Sequence, residues 1–266
     1  MIKYNGKPVE MGHFPDGTLL MKEEVTGERE VTLTWLFENN EELVALYFLT
    51  KHLQAKGTTD IVLQMPYIPN ARQDRVKKPE DIFTLKYFAE LINSLQFKKV
   101  VVLDPHSYVS EALFDRLEIH TPRKNVEKVL AKLSESGAEN ILMFYPDEGA
   151  MKRYSGMFDR PYAFGIKKRD WVTGQILGLE VSGQAELVAG STVLIVDDIC
   201  SKGGTFYYSG KALKELGAKE VYLYVSHCED SIFEGEILKG DVIERVYTTD
   251  SILTKESERV EVINYE

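Results

Sequence analysis

The residues best placed to do chemistry in this chain lie between Ser191 and Thr205, in the stretch STVLIVDDICSKGGT. Val193, Leu194, Ile195 and Val196 read as a buried strand that delivers two carboxylates, Asp197 and Asp198. A turn of small residues follows, and then a helical pattern, FYYSGKALKELGA. Ser201, Lys202, Gly203, Gly204 and Thr205 would therefore offer an anion unpaired backbone N–H groups at the positive end of a helix. The glycines let backbone approach a ligand closely, and carboxylates at a strand end accept hydrogen bonds from sugar hydroxyls. Together these tools suit a phosphorylated sugar. The plainer reading is a helix cap after a buried parallel strand.

Three further groups stand out. In MPYIPNARQDR, Pro66 and Pro69 enforce an extended or turned segment, and Arg72, Asp74 and Arg75 cluster behind it. Two arginines suit bidentate binding of phosphate oxygens; a surface ion pair with Asp74 is the alternative. VVVLDPHS and LMFYPDEGA bring Asp104, His106, Asp147 and Glu148 to strand ends. A His nitrogen and carboxylate oxygens there can hold Mg²⁺ directly or through its waters, although a loop histidine and a turn aspartate explain the same residues. In GIKKRDWVTGQ three successive cations end a strand. They read either as a basic flap that neutralises phosphoryl charge or as a solvated strand edge.

The elements that must position these groups alternate. After about 30 residues of less regular sequence, helical and strand patterns follow one another, which predicts mainly parallel sheets flanked by helices, an α/β fold. The expected helices include NNEELVALYFLTKHLQAKG, capped by Asn39 or Asn40, and PEDIFTLKYFAELINSLQ, with Pro79 in its first turn and Ile82, Leu85, Phe88, Ala89 and Ile92 on its apolar face. A boundary after EIHTP gives two α/β halves, residues 1–122 and 123–266. The length of 266 residues suits this division. A net charge of −10 argues against nonspecific nucleic-acid or anionic-membrane partners, but not against phosphate ligands. No run approaches the roughly 20 apolar residues of a membrane span, and the N-terminal residues do not resemble a signal peptide. The two cysteines, Cys200 and Cys228, lack zinc spacing and suit strand-end packing in a reducing compartment. A cytoplasmic protein is expected.

Taken in order, these features resemble the ribose-phosphate pyrophosphokinase family. PYIPNARQDR is similar to its PYxxYARQDR, VVVLDPHS to its xxxDLHxxQ, YPDEGAMKR to its SPDxGGxxR, IKKRDWVTGQI to its DKRRxxxxxV, and VLIVDDICSKGGT to its VLVDDxxDTGGT. FPDGT, Phe14 to Thr18, resembles FxDGE, VSHCEDSIFEGEI resembles ATHGxxSGxAxxxI, and TTDSI resembles TDTI. The resemblance covers nearly the whole chain. It implies two tandem phosphoribosyltransferase-like domains, an ATP side and a sugar-phosphate side. It also implies Mg²⁺-dependent transfer of the β,γ-diphosphate of ATP to the C1 hydroxyl of ribose 5-phosphate.

Carried over residue by residue, Arg72, Gln73, Asp74 and Arg75 would lie at the ATP site, joined by Phe14, Asp16 and Thr18 from a neighbouring subunit, so a homo-oligomer is implied. His106 and Asp147 would hold the metal. Lys167 and Arg169 would be the catalytic flap cations. Asp197 and Asp198 would bind the ribose hydroxyls, and Ser201 to Thr205 the 5-phosphate. The chain departs from the family pattern at Thr18, which stands for Glu, at Pro105, which stands for Leu, and at Ser201–Lys202, which stands for Asp-Thr. The added cation and lost carboxylate suit a more anionic acceptor, and ADP-ribose is the alternative they raise. A phosphoribosyltransferase and a noncatalytic regulatory relative are further alternatives. The ARQDR half and the retained His106, Asp147, Lys167 and Arg169 argue against these two.

Overall fold

Hydrophobic periodicity gives each half of the chain buried apolar residues of its own. The structure, a computed structural model, describes residues 1–25, 27–169 and 176–264, with backbone only at 167–169 and 176–179. The chain divides into two compact units, Met1–Thr121 and Pro122–Glu266.

The first unit contains β1 (Ile2–Tyr4), β2 (Lys7–Pro8), β3 (Met11–His13), β4 (Leu19–Met21), β5 (Glu30–Trp35), α1 (Glu41–Ala55), β6 (Asp60–Gln64), α2 (Thr84–Ser94), β7 (Lys99–Leu103), α3 (Val109–Leu113) and β8 (Leu117–His120). Its sheet runs β2-β1-β5-β6-β7-β8, parallel from β5 to β8 and antiparallel at the β1 and β2 edge. β5 alternates, burying Val31, Leu33 and Trp35. Asn39 Oδ1 accepts the Glu41 and Glu42 N–H groups at 3.0 and 3.3 Å, so Asn39 caps α1. The buried Glu42 accepts from Trp35 Nε1 at 3.0 Å.

One expected helix starts later than its sequence suggests. Pro79 and Ile82 precede α2, which begins at Thr84, and Ile82 is exposed. Asp81 Oδ2 accepts the Lys77 and Lys78 N–H groups, both at 2.8 Å, and this turn competes with a first helical turn there.

The second unit contains α4 (Arg123–Glu135), β9 (Ile141–Tyr145), α5 (Glu148–Tyr154), β10 (Tyr162–Arg169), β11 (Ile176–Gly183), β12 (Thr192–Cys200), α6 (Gly204–Glu215), β13 (Glu220–Cys228), β14 (Arg245–Thr249) and β15 (Val260–Ile263). Its sheet runs β11-β10-β9-β12-β13-β14-β15, parallel except where β11 turns back on β10. Apolar clusters cover both faces. One packs around Val193, Ile195 and Leu223, and the other around Leu194, Val196 and Tyr224. This is why β12 reads as a continuous apolar run rather than an alternating one. Cys200 and Cys228 are register partners on neighbouring strands, and both are buried. Among the described residues no helix is long and apolar enough to cross a membrane.

Candidate active site

In the second unit the chain leaves β9 for β10 on one side and later fills β12 to β15 on the other. The carboxyl ends of β9 and β12 therefore flank the point where strand order reverses, the usual ligand crevice of an open α/β sheet. Asp147 follows β9, while Asp197 and Asp198 lie on β12. The strand does not end at this acidic pair. It keeps pairing with β13 through Ile199 and Cys200, because Cys200 packs in the core.

Asp198 is buried and accepts an ion pair from Arg153 Nη1 at 3.3 Å. Arg153 comes from the last turn of α5, and its guanidinium stacks 5.0 Å from the Tyr154 ring centroid. Asp197 is half-buried, and its Oδ1 accepts the Asp198 N–H at 3.0 Å. Burial, and then the neighbouring Asp198, push the Asp197 carboxyl well above the ordinary carboxylate range. Asp147 caps α5, accepting the Ala150 N–H at 3.1 Å.

Ser201, Lys202 and Gly203 lead into α6, whose first residues are Gly204 and Thr205. Gly203 occupies the left-handed region at φ 76°, and a Cβ there would fall 2.7 Å from Ile237 Cγ2. Glycine is thus required twice over at this position, by conformation and by space. The first-turn N–H groups of α6 have no partners within the helix itself. Lys202 Nζ lies 2.9 Å from Glu234 Oε2.

In the first unit, adjacent parallel strands bring two loops together. Asp74 follows β6, and His106 follows β7. Arg75 holds the buried Asp74 with Nε to Oδ1 at 2.6 Å and Nη2 to Oδ2 at 2.7 Å. This bidentate grip keeps the Asp74 carboxyl below its ordinary value, with smaller contributions from Ser107 and His106. Arg72 and Gln73 are exposed, and Gln73 Oε1 accepts from Thr84 Oγ1 at 2.8 Å. Asp104 is buried with φ 42°, a strained conformation beside the half-buried His106. His106 and Asp147 belong to different units.

Phe14 to Thr18 form the tip of the β3–β4 hairpin. The Thr18 N–H and Oγ1 both donate to Asp16 Oδ1, at 3.0 and 2.7 Å, while Phe14 is 49% exposed. Thr18 therefore locks the turn, and its hydroxyl lowers the Asp16 carboxyl. Lys167 and Arg169 lie at the end of β10, paired in register with Leu179 and Ile176 of β11. Their side chains, and residues 170–175 of the same segment, lie outside the described residues.

Two residues at the site were not apparent from sequence. Arg153 ends the YPDEGAMKR motif, and its spacing from Asp147 across one short helix was the available signal. Glu234 carries no local signal, because only the tertiary approach of residues 230–237 to the Lys202 loop brings it there.

Comparison with known proteins finds relatives for both units. Residues 2–95 match the N-terminal domain of ribose phosphate pyrophosphokinase, and residues 158–258 match a phosphoribosyl transferase domain. A ribose-phosphate pyrophosphokinase from Marinomonas sp. (strain MWYL1) is 31% identical over 227 residues, covering 82% of this chain and 70% of the relative. One from Sulfolobus acidocaldarius is 28% identical over 254 residues, covering 92% and 84%. The fold matches a crystal structure of phosphoribosylpyrophosphate synthetase from Mycobacterium smegmatis with a TM-score of 0.79 at 20% identity, over 97% of this chain and 86% of that one. With its acidic pair and glycine loop set at the strand-order switch, and with these relatives, the chain belongs to the ribose-phosphate pyrophosphokinase family and is a diphosphokinase-type enzyme.

Proposed function

We propose that this enzyme transfers the β,γ-diphosphate of ATP to the C1 hydroxyl of ribose 5-phosphate, giving phosphoribosyl diphosphate and AMP. The observation that carries this reading is the second unit's switch point. There Asp197 and Asp198 stand beside a glycine turn that opens directly into α6. Asp197 and Asp198 accept hydrogen bonds from the ribose hydroxyls, and the N–H groups of Ser201 to Thr205 hold the 5-phosphate. The first unit is the ATP side, where Arg72, Gln73, Asp74 and Arg75 meet the nucleotide. Lys167 and Arg169 neutralise the transferring diphosphoryl group, because positioning and charge carry this class of reaction.

The donor set suits Mg²⁺. Asp147 offers carboxylate oxygen, the ligand of a hard divalent cation. Asp147 would meet the ion on the sugar-phosphate side, and His106 would meet the metal-bound nucleotide on the ATP side. Bound there, Mg²⁺ would supply charge neutralisation for the phosphates of ATP. The exposed Phe14 on its hairpin tip supports a role at the adenine site of a neighbouring copy, and hence a homo-oligomer. Lys202, the residue that raised ADP-ribose as acceptor, is already paired with Glu234, which favours ribose 5-phosphate.

The test is product identity. With ATP, Mg²⁺ and ribose 5-phosphate, chromatography should show AMP rising in step with phosphoribosyl diphosphate, and neither should form after chelation of the metal. ADP with a monophosphorylated sugar would make this an ordinary kinase and refute the proposal.

A further inference from the structure

The phosphate loop and the segment after β13 fit into each other with no spare room. A Cβ on Gly203 would strike Ile237, and a Cβ on Gly235 would overlap the carbonyl oxygen of Lys202. Backbone at 202–203 therefore rests on residues 235–237. Over this contact Lys202 Nζ meets Glu234 Oε2 at 2.9 Å, with both side chains about two-thirds exposed, at 67% and 66%. The acid comes from the anchored side. Asp230, four residues earlier, accepts the Thr254 N–H at 2.9 Å and also its hydroxyl, and Lys255 Nζ lies 5.9 Å from the Phe233 ring centroid. Lys202 is the partner on a long flexible stem. Among the described residues Glu234 is its ion partner, and the Lys202 ammonium holds the Glu234 carboxyl below its ordinary value.

We infer that Glu234 is a specificity-determining residue. By pairing with Lys202 it sets the charge that the loop presents to the acceptor, so that backbone N–H groups and the helix dipole do the binding without an additional free cation. This rests on the proposed reading of Ser201 to Thr205 as the acceptor's phosphate site. Without Glu234 the Lys202 ammonium can turn to the phosphate. Acceptor binding then tightens, and selectivity for phosphate shape gives way to attraction for phosphate charge.

The test compares wild type, Glu234→Gln, Lys202→Gln and the double variant, with ribose 5-phosphate and ATP each varied at low ionic strength. Glu234→Gln should lower the acceptor KM roughly twofold to fivefold, the scale of a partly screened ion pair, and leave the ATP KM in place. Lys202→Gln removes the cation whose release is being read and serves as the reference for the double variant. The double variant should match Lys202→Gln, and about 0.3 M salt should erase the gain in Glu234→Gln. Glu234→Asp, which keeps the charge on a shorter stem, should fall between wild type and Glu234→Gln and serves if the amide variant folds poorly. An unchanged or raised acceptor KM in Glu234→Gln, or a gain that survives in the double variant, overturns the inference. Wild-type turnover checks the underlying reading separately. Absence of AMP formation from ribose 5-phosphate defeats both readings, whereas turnover without a variant effect defeats the inference alone.

Discussion

Replacing Arg153 with methionine keeps much of the stem's bulk and deletes the charge facing Asp198. The Nη1–Oδ1 separation is 3.3 Å, and the Asp198 side chain is only 4% exposed. Removing one partner of a buried pair costs about 3–5 kcal/mol. Arg153 retains 18% exposure, so the lower end, about 3 kcal/mol, applies. At about 3 °C per kcal/mol for a domain of roughly 150 residues, the melting transition should fall by about 9 °C. The loss should depend on pH. Asp197 is already raised above the ordinary 3.8 by burial and by Asp198, and deleting Arg153 removes the cation that opposes this. A carboxyl raised on folding binds more protons folded than unfolded, so stability falls as pH climbs from its unfolded to its folded value and levels off above that. The deficit should therefore be larger near about pH 8 than near about pH 5. Scanning calorimetry of wild type and Arg153→Met at both pH values reads this directly. A drop under about 3 °C at the higher pH, or a deficit that grows toward acid, would refute the electrostatic account of the Arg153–Asp198 pair.

Three other outcomes follow from the site. Lys167→Ala and Arg169→Ala should each lower kcat on the order of a hundredfold with little change in KM, since charge redistributes mainly in the transition state; near-normal kcat in both would mean a merely solvated strand edge. Gly235→Ala must push the Lys202 carbonyl aside and should cost at least about tenfold in kcat/KM for ribose 5-phosphate, so wild-type kinetics would contradict the tight fit of the two segments. Asp74→Asn frees Arg75 from its bidentate partner and should raise the ATP KM but not the acceptor KM. Because Arg75 depresses the Asp74 carboxyl, the stabilisation from this pair in wild type should persist down to about the ordinary 3.8 and vanish only below it, which an acid unfolding titration can follow.

Much of this was legible in the sequence because single elements carried it. The apolar run before Asp197 announces a buried strand, and the small residues after Cys200 announce a turn, which the structure builds with Gly203 in the left-handed region. What escaped depends on contacts across the chain. β12 continues past its acidic pair because Cys200 has a place in the core, which no local pattern reveals. The late start of α2 follows from Asp81 capturing two N–H groups, a competition that periodicity ignores. Arg75 was equally readable as a phosphate ligand or as a partner of Asp74, and only the geometry shows that it grips Asp74. Arg153 and Glu234 matter through partners on other elements, Asp198 and Lys202, so their roles emerge only once the sheet is assembled.

The paired Cys200 and Cys228 give the protein a built-in chemical clock. These are the chain's two cysteines, both shielded from solvent within Pro122–Glu266. The Cys200 thiol is pushed well up, chiefly by its hydrogen bond with Cys228 and then by burial. A thiol kept protonated and out of water reacts slowly with alkylating or disulfide reagents. Labelling of the native protein should thus be limited by opening of the second unit, so the rate of thiol modification reads that unit's unfolding alone. The same silence makes the folded chain a clean background for an introduced surface cysteine, which would be the first thiol to react.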